Sequence, residues 1–330
     1  MNATEEKDRQ PRARASGGAG YLLLGCGLIV LPWFISNYQR VFAAEILVWG
    51  LFALSFAIVY GVGGMLSFAQ AVFFGMGCWG FNFATYYLQL NTWGAIAAAI
   101  LAAVLFAIPT GFLATRARQH HFLIVTVIIS VLVHTVLASG HYRWIAGPYV
   151  TRAMTFVPEV PLGFTSFSFR SEFVSYYFTL GLVALAVCAA WLIVNSPFGK
   201  ALRAVRDNET RSSLIGLNVN RLRFLMFVAA TAFAGLAGAL YALVARYTDL
   251  EFFSWTYSGK AVVWAVVGGV HSLIGPFFGT AFYMIASEYL SQYFEHFVVV
   301  FGVILLIVIR YAPEGLWGLI VRQSGGRSRR

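Results

Sequence analysis

The chain has 330 residues, of which 59% are hydrophobic and only 11% charged, with a mean hydropathy of +0.74; an ordinary soluble domain is about 45–50% apolar and about 25% charged. The missing charge is a missing water-facing surface, so the composition excludes a soluble domain. The net charge of +10 does not argue for nucleic acid, because the basic residues sit at the ends of apolar runs and in loops, as a membrane topology requires.

In chain order, residues 1–20 mix Pro, Gly, Ser and charges of both signs with nothing to bury, which predicts a disordered tail. Apolar segments follow at roughly 21 to 36, 42 to 60, 62 to 88, 94 to 114, 121 to 139, 174 to 194, 222 to 245, 259 to 271, 274 to 294 and 297 to 311. A helix needs about 20 residues to cross roughly 30 Å of hydrocarbon, so the eighth segment is short for a span. The expected fold is an all-α, polytopic membrane bundle of nine or ten helices over 21–318, followed by a basic tail at 319–330. If all ten segments cross from a cytoplasmic N-terminus, seventeen Lys and Arg lie inside and six outside, the six being Arg40, Arg143, Arg152, Arg170, Arg246 and Lys260. That asymmetry obeys the positive-inside rule, predicts cytoplasmic termini, and requires the eighth segment to cross. An arginine-rich start before an apolar stretch and Ala43-Ala44 resembles a secretory leader in outline. Everything downstream is also membrane-embedded, so a retained first span is expected.

Two loops interrupt the apolar runs. The first, 140–173, contains Pro148, Pro158 and Pro161 and is expected outside the cell. The second, 195–221, is expected in the cytoplasm and opens on Ser196-Pro197, a helix cap followed by a first-turn proline. It continues with Phe198, Leu202 and Val205 on one helical face and Lys200, Arg203 and Arg206 on the other, predicting an amphipathic helix of about four turns that stops at Gly216. Asp207, Asn208 and Glu209 break up the basic face, which suits a protein groove better than a lipid surface.

An echo joins the two halves of the chain. Val62-Gly63-Gly64-Met65-Leu66-Ser67-Phe68 leads to Phe73-Phe74-Gly75, and Val267-Gly268-Gly269-Val270-His271-Ser272-Leu273 leads to Phe277-Phe278-Gly279. Glycine-interrupted segments at corresponding places in two halves point to a transporter's substrate path. Such backbone is tolerated in a membrane only where protein or a water-filled cavity satisfies it. The path candidates are therefore Gly63, Gly64, Ser67, Gln70, Gly268, Gly269 and Ser272, with His271 beside them. His134, alone in an apolar helix, reads as structural.

The side chains that would power transport are scarce. All three aspartates lie outside the spans, only Glu45 and Glu288 among the acids fall within them, and Glu45 sits near an outer edge. Gly199-Lys200 and Gly259-Lys260 lack the rest of a phosphate-binding loop, and no nucleophile elbow or H-E-x-x-H run is present. Cys26, Cys78 and Cys188 lack the spacing of a metal or disulfide set and read as small hydrophobes. No catalytic residue, metal or cofactor is expected. Active transport would need its energy from a partner, and the rival reading is a stand-alone secondary carrier.

Three stretches resemble a known family, the LivM-type permeases of ABC importers for branched-chain amino acids, with relatives for urea and amides. They are Gly61 through Gly77, Ser196 through Glu209 with Gly216-Leu217-Asn218 and Ala234 through Tyr241, and Val267 through Gly279 with Pro313-Glu314-Gly315-Leu316. The resemblance implies an ABC permease subunit that pairs with a second homologous permease chain, two cytoplasmic ATPase subunits and an extracytoplasmic binding protein, in a cell inner membrane. It also implies that Phe198, Lys200, Leu202, Arg203, Arg206, Asp207, Asn208, Glu209 and Gly216 form the coupling segment that meets an ATPase cleft. Arg116 through Phe122 and Ala146 through Thr151 depart from the family's glycine-containing pattern, a departure that bears on cargo. Branched-chain amino acids are the leading expectation, ahead of urea, amides or aromatic acids.

Overall fold

The structure, a computed structural model, describes residues 25–117, 119–140, 152–153, 159–162, 165–169, 171–293, 302, 310 and 315–318. The predicted tails at 1–20 and 319–330, and nearly all of the last apolar segment, lie outside the described residues. The described helices are α1 (Asn37–Ala57), α2 (Gln70–Tyr86), α3 (Thr92–Ala114), α4 (Gln119–Ala138), α5 (Glu172–Asn195), α6 (Pro197–Asp207), α7 (Glu209–Leu214), α8 (Val219–Ala245), α9 (Trp255–Gly268) and α10 (Gly275–Tyr293). α1 runs on through a π turn, Ile58–Val62. The chain is a helical membrane protein, and among the described residues its strands are two short antiparallel ribbons, Arg152–Ala153 with Tyr247–Thr248 and Glu159–Leu162 with Thr165–Ser168.

Local chemistry sets the helix starts. Ser36 and Gln39 cap α1 reciprocally: the Gln39 amide N–H donates to Ser36 Oγ at 3.4 Å and the Ser36 N–H donates to Gln39 Oε1 at 3.0 Å. Asn91, Asn208 and Asn218 cap α3, α7 and α8 by accepting the amide of the third residue on.

Five helices among the described residues are long and apolar enough to cross a membrane: α1 with its π turn, α3, α4, α5 and α8. Their burial sorts them into layers. In α1 and α8, 72% of the most apolar stretch is buried, against 28% in α3 and 22% in α4 and α5. α1 and α8 are therefore the axis of the bundle, and α3 to α5 turn most of their surface outward. α8 approaches α2 and α3 through small residues; a Cβ on Gly235 would sit 2.6 Å from that of Ala103, and Cys78 Sγ donates to the Gly238 carbonyl at 3.2 Å.

The predicted segment 62 to 88 is not one helix. Residues 63–69 are irregular, and only the 17 residues of α2 are helical. The short eighth segment appears as α9, whose 14 residues extend about 21 Å at 1.5 Å each, less than the hydrocarbon thickness.

Candidate functional site where the broken helices meet

The two glycine pairs occupy equivalent places. Each second glycine takes a positive φ, +68° at Gly64 and +113° at Gly269, and each lies just past the end of a helix. In that region a side chain costs roughly 1–2 kcal/mol. Three residues later a serine holds the stretch that leads to the next helix: Ser67 Oγ accepts the Ala69 amide at 3.3 Å, and Ser272 Oγ accepts the Ile274 and Gly275 amides at 3.3 Å each. The echo seen in the sequence is thus a repeated helix–Gly-Gly–Ser–helix unit. The two breaks touch, because Gly61 lies against the Val270 carbonyl.

The segment after α5 is seated on this junction. Ser196 accepts the Gly199 amide at 3.2 Å and starts α6, as expected. The amphipathic helix of about four turns is in fact two pieces: α6 ends after 11 residues, and Asn208 turns the chain into the six-residue α7. The physical reason is the Asn208 side chain, which takes the Arg211 amide at 2.8 Å and so caps a new helix. Gly216, at φ +88°, then ends α7 with its amide on the Ser213 carbonyl.

The orientation of α6 corrects the expectation that its apolar face meets a partner. Leu202 and Val205 are buried inside this chain, and Leu202 Cδ2 is 3.4 Å from the position a Cβ on Gly63 would take. Arg206 reaches past them to donate to the Gly61 carbonyl, with its stem across Gly64, 2.6 Å from a Cβ position there. Arg203 donates to the Val194 carbonyl at 2.6 Å. Both arginines, predicted on a free polar face, are half-buried anchors to the bundle, and they line a crevice with Gly61, Val270, His271 and Ser272.

What α6 and α7 leave outward is Lys200, Asp207, Asn208, Glu209 and the end of α7, where Leu214 and Ile215 are 82% and 70% exposed. Phe198 is half-buried at the root of the helix. Glu209 is held by Arg223 of α8, whose Nη1 and Nη2 donate to its two oxygens at 3.1 and 2.8 Å. Arg223 is 6% exposed, so this pair ties α7 to the start of α8. Sequence reasoning missed Leu214, Ile215 and Arg223. The available signal was the asparagine at 208, which marks a second helix start and hence a turn that presents the residues after it.

Ser67 and Gln70 are fully buried. Gln70 Oε1 accepts from Ser55 at 3.4 Å, and its amide nitrogen has no partner among the described residues. His134 faces Glu251 at 3.8 Å.

Residues 41–309 match the family described as "Branched-chain amino acid transport system / permease component". The LivM permease protein of the high-affinity branched-chain amino acid transport system of Escherichia coli K12 is 23% identical over 309 residues, covering 87% of this chain and 72% of that protein. The LivH permease protein from the same organism is 27% identical over 286 residues, covering 82% and 91%. The guanosine ABC transporter permease protein NupQ of Bacillus subtilis is 27% identical over a shorter 115 residues, 32% of this chain and 34% of that protein. With the broken-helix repeat in place and the family match spanning both of its copies, the chain belongs to the permease-component family of branched-chain amino acid transport systems.

Proposed function

We propose that this chain is the membrane-spanning subunit of an ATP-driven importer, carrying branched-chain amino acids handed over by an extracytoplasmic binding protein. It pairs with a second homologous permease chain and with two ATPase subunits, and both termini face the cytoplasm of a cell whose inner membrane it crosses nine or ten times. The outward residues of α6 and α7, Lys200, Asp207, Asn208, Glu209, Leu214 and Ile215, meet the ATPase cleft. Leu202, Arg203 and Arg206 carry the ATPase's movement inward. Gly63, Gly64, Gly268 and Gly269 are the joints at the inner end of the substrate path, with Ser67 and Ser272 holding the restarted helices and Gln70 offering its free donor.

One observation carries this reading: α6 rests through Leu202 and Arg206 on Gly63, Gly64 and the Gly61 carbonyl, where the two breaks meet. A push on α6 therefore acts on both broken helices together. The experiment is reconstitution of the permease pair with its ATPase and binding protein in vesicles, measuring ATP-dependent uptake of leucine, isoleucine and valine against urea, amides, aromatic acids and guanosine. Uptake by the chain alone under an ion gradient, without ATP, would replace the proposal with the secondary-carrier reading.

A further inference from the structure

The restart of the first broken helix is held from elsewhere in the chain. α1, α3, α7, α8 and α9 each begin on a Ser or Asn whose side chain takes an amide of its own first turn, but α2 follows Ala69, which has no such side chain to offer. Ser258, in the first turn of α9, fills the role from another part of the fold. Its Oγ accepts the Ala71 N–H at 2.9 Å and donates to the Phe68 carbonyl at 2.6 Å.

The other side of Phe68 is held by α4. Thr126 Oγ1 accepts the Phe68 N–H at 3.1 Å while donating to the Leu123 carbonyl of its own helix at 2.8 Å. One turn further along α4, Ser130 donates at 3.0 Å to the carbonyl of Phe253, just before α9 begins. Ser258, Thr126 and Ser130 are all completely buried. Both backbone groups of Phe68 are thus taken by side chains of two other helices, and those two helices are tied to each other.

The irregular stretch 63–69 is therefore pinned along α9 at two levels. Gly61, just before it, lies against the Val270 carbonyl past the end of α9, and Phe68 lies on Ser258 in the first turn. Ser258 and Gly268 are separated by about 15 Å of helix at 1.5 Å per residue. Irregular backbone in a membrane needs partners of this kind. Here the partners also join the restart of the first repeat to the helix that leads into the second break.

We infer that Ser258 and Thr126 are positioning residues for transport: they fix the start of α2 to α9 and α4, so that the three move as one block when α6 drives the glycine junction. The inference rests on the importer reading above and adds two residues that reading does not use. Their hydroxyls act through the Phe68 and Ala71 backbone, which sets the places of Ser67 and Gln70 on either side of it. Without them the displacement at Gly63 and Gly64 is taken up in the loosened stretch and does not reach α2.

The test is leucine uptake per ATP hydrolysed, in vesicles holding equal amounts of assembled complex, for native protein, Ser258→Ala, Ser258→Thr, Thr126→Val and Thr126→Ser. The expected ratio is about fivefold lower in Thr126→Val and about tenfold or more lower in Ser258→Ala, the size that one and two lost buried hydrogen bonds give. Thr126→Ser and Ser258→Thr keep the hydroxyl and should recover most of the loss. A purely structural role would lower uptake and ATP hydrolysis in proportion, leaving the ratio at the native value, and that result would overturn the inference. A spin-label pair at Tyr86 and Thr256, on a background lacking the exposed Cys26 and Cys188, supplies a second reading that needs no substitution at Ser258 or Thr126. The distance between the labels should be the same in the resting and the nucleotide-trapped complex, and a resolved change would overturn the block even if Ser258→Ala fails to insert. Native complex that takes up no leucine would defeat the importer reading, while the label pair would still decide whether α2 and α9 move together.

Discussion

Leu202 and Leu214 lie 12 positions apart in the same cytoplasm-assigned segment and invite the same substitution, but their surroundings differ in kind. Leu202 is completely buried between α6 and the Gly63 backbone, whereas Leu214 is 82% exposed. Truncating a buried leucine costs about 2–5 kcal/mol, and an aspartate in its place adds the cost of an unpaired buried charge, so Leu202→Asp should cost several kcal/mol within the chain itself. Leu214→Asp should change the isolated chain by no more than about 0.5 kcal/mol. At a partner contact, an exposed apolar anchor of this kind is worth about 2 kcal/mol or more, which corresponds to a roughly thirtyfold weaker Kd. The assay is a thermal melt of the purified permease without ATPase, followed by copurification with the ATPase. Leu202→Asp should lower Tm or abolish insertion, and Leu214→Asp should leave Tm unchanged while losing the ATPase. A Leu202→Asp protein that melts like the native one but no longer holds the ATPase would mean that the apolar face of α6 points outward, refuting its seating on the glycine junction.

Three further outcomes follow from the same geometry. Gly64→Leu should insert normally but transport nothing, since its φ of +68° and the Arg206 stem leave no room for a side chain; normal uptake in vesicles would show that the glycine serves only packing. Gly269→Ala, at φ +113°, should strain the second break alike, by roughly 1–2 kcal/mol or more, read as slowed transport at unchanged membrane level. Arg206→Ala removes a charge-assisted bond to the Gly61 carbonyl, worth about 1.5–3 kcal/mol, and should leave ATP hydrolysis running while uptake per ATP falls about tenfold. Arg206→Lys should keep part of that coupling, and unchanged stoichiometry in both variants would remove Arg206 from the transmission.

Composition alone determined that this chain lives in a membrane, because a surface with so little charge cannot face water. Its two Gly-Gly-x-x-Ser units were also legible, since a backbone break favours glycine and a serine can take a nearby free amide N–H in the irregular stretch, and both requirements are local. The amphipathic pattern from Phe198 to Arg206 was visible too, but periodicity reports only that one face is apolar, not what covers it. The fold supplied the cover from Gly63, some 140 residues earlier in the chain, and so turned an expected partner anchor into an internal one. Arg203 and Arg206 went the same way: long side chains can carry a charge back to a carbonyl that only tertiary packing brings near.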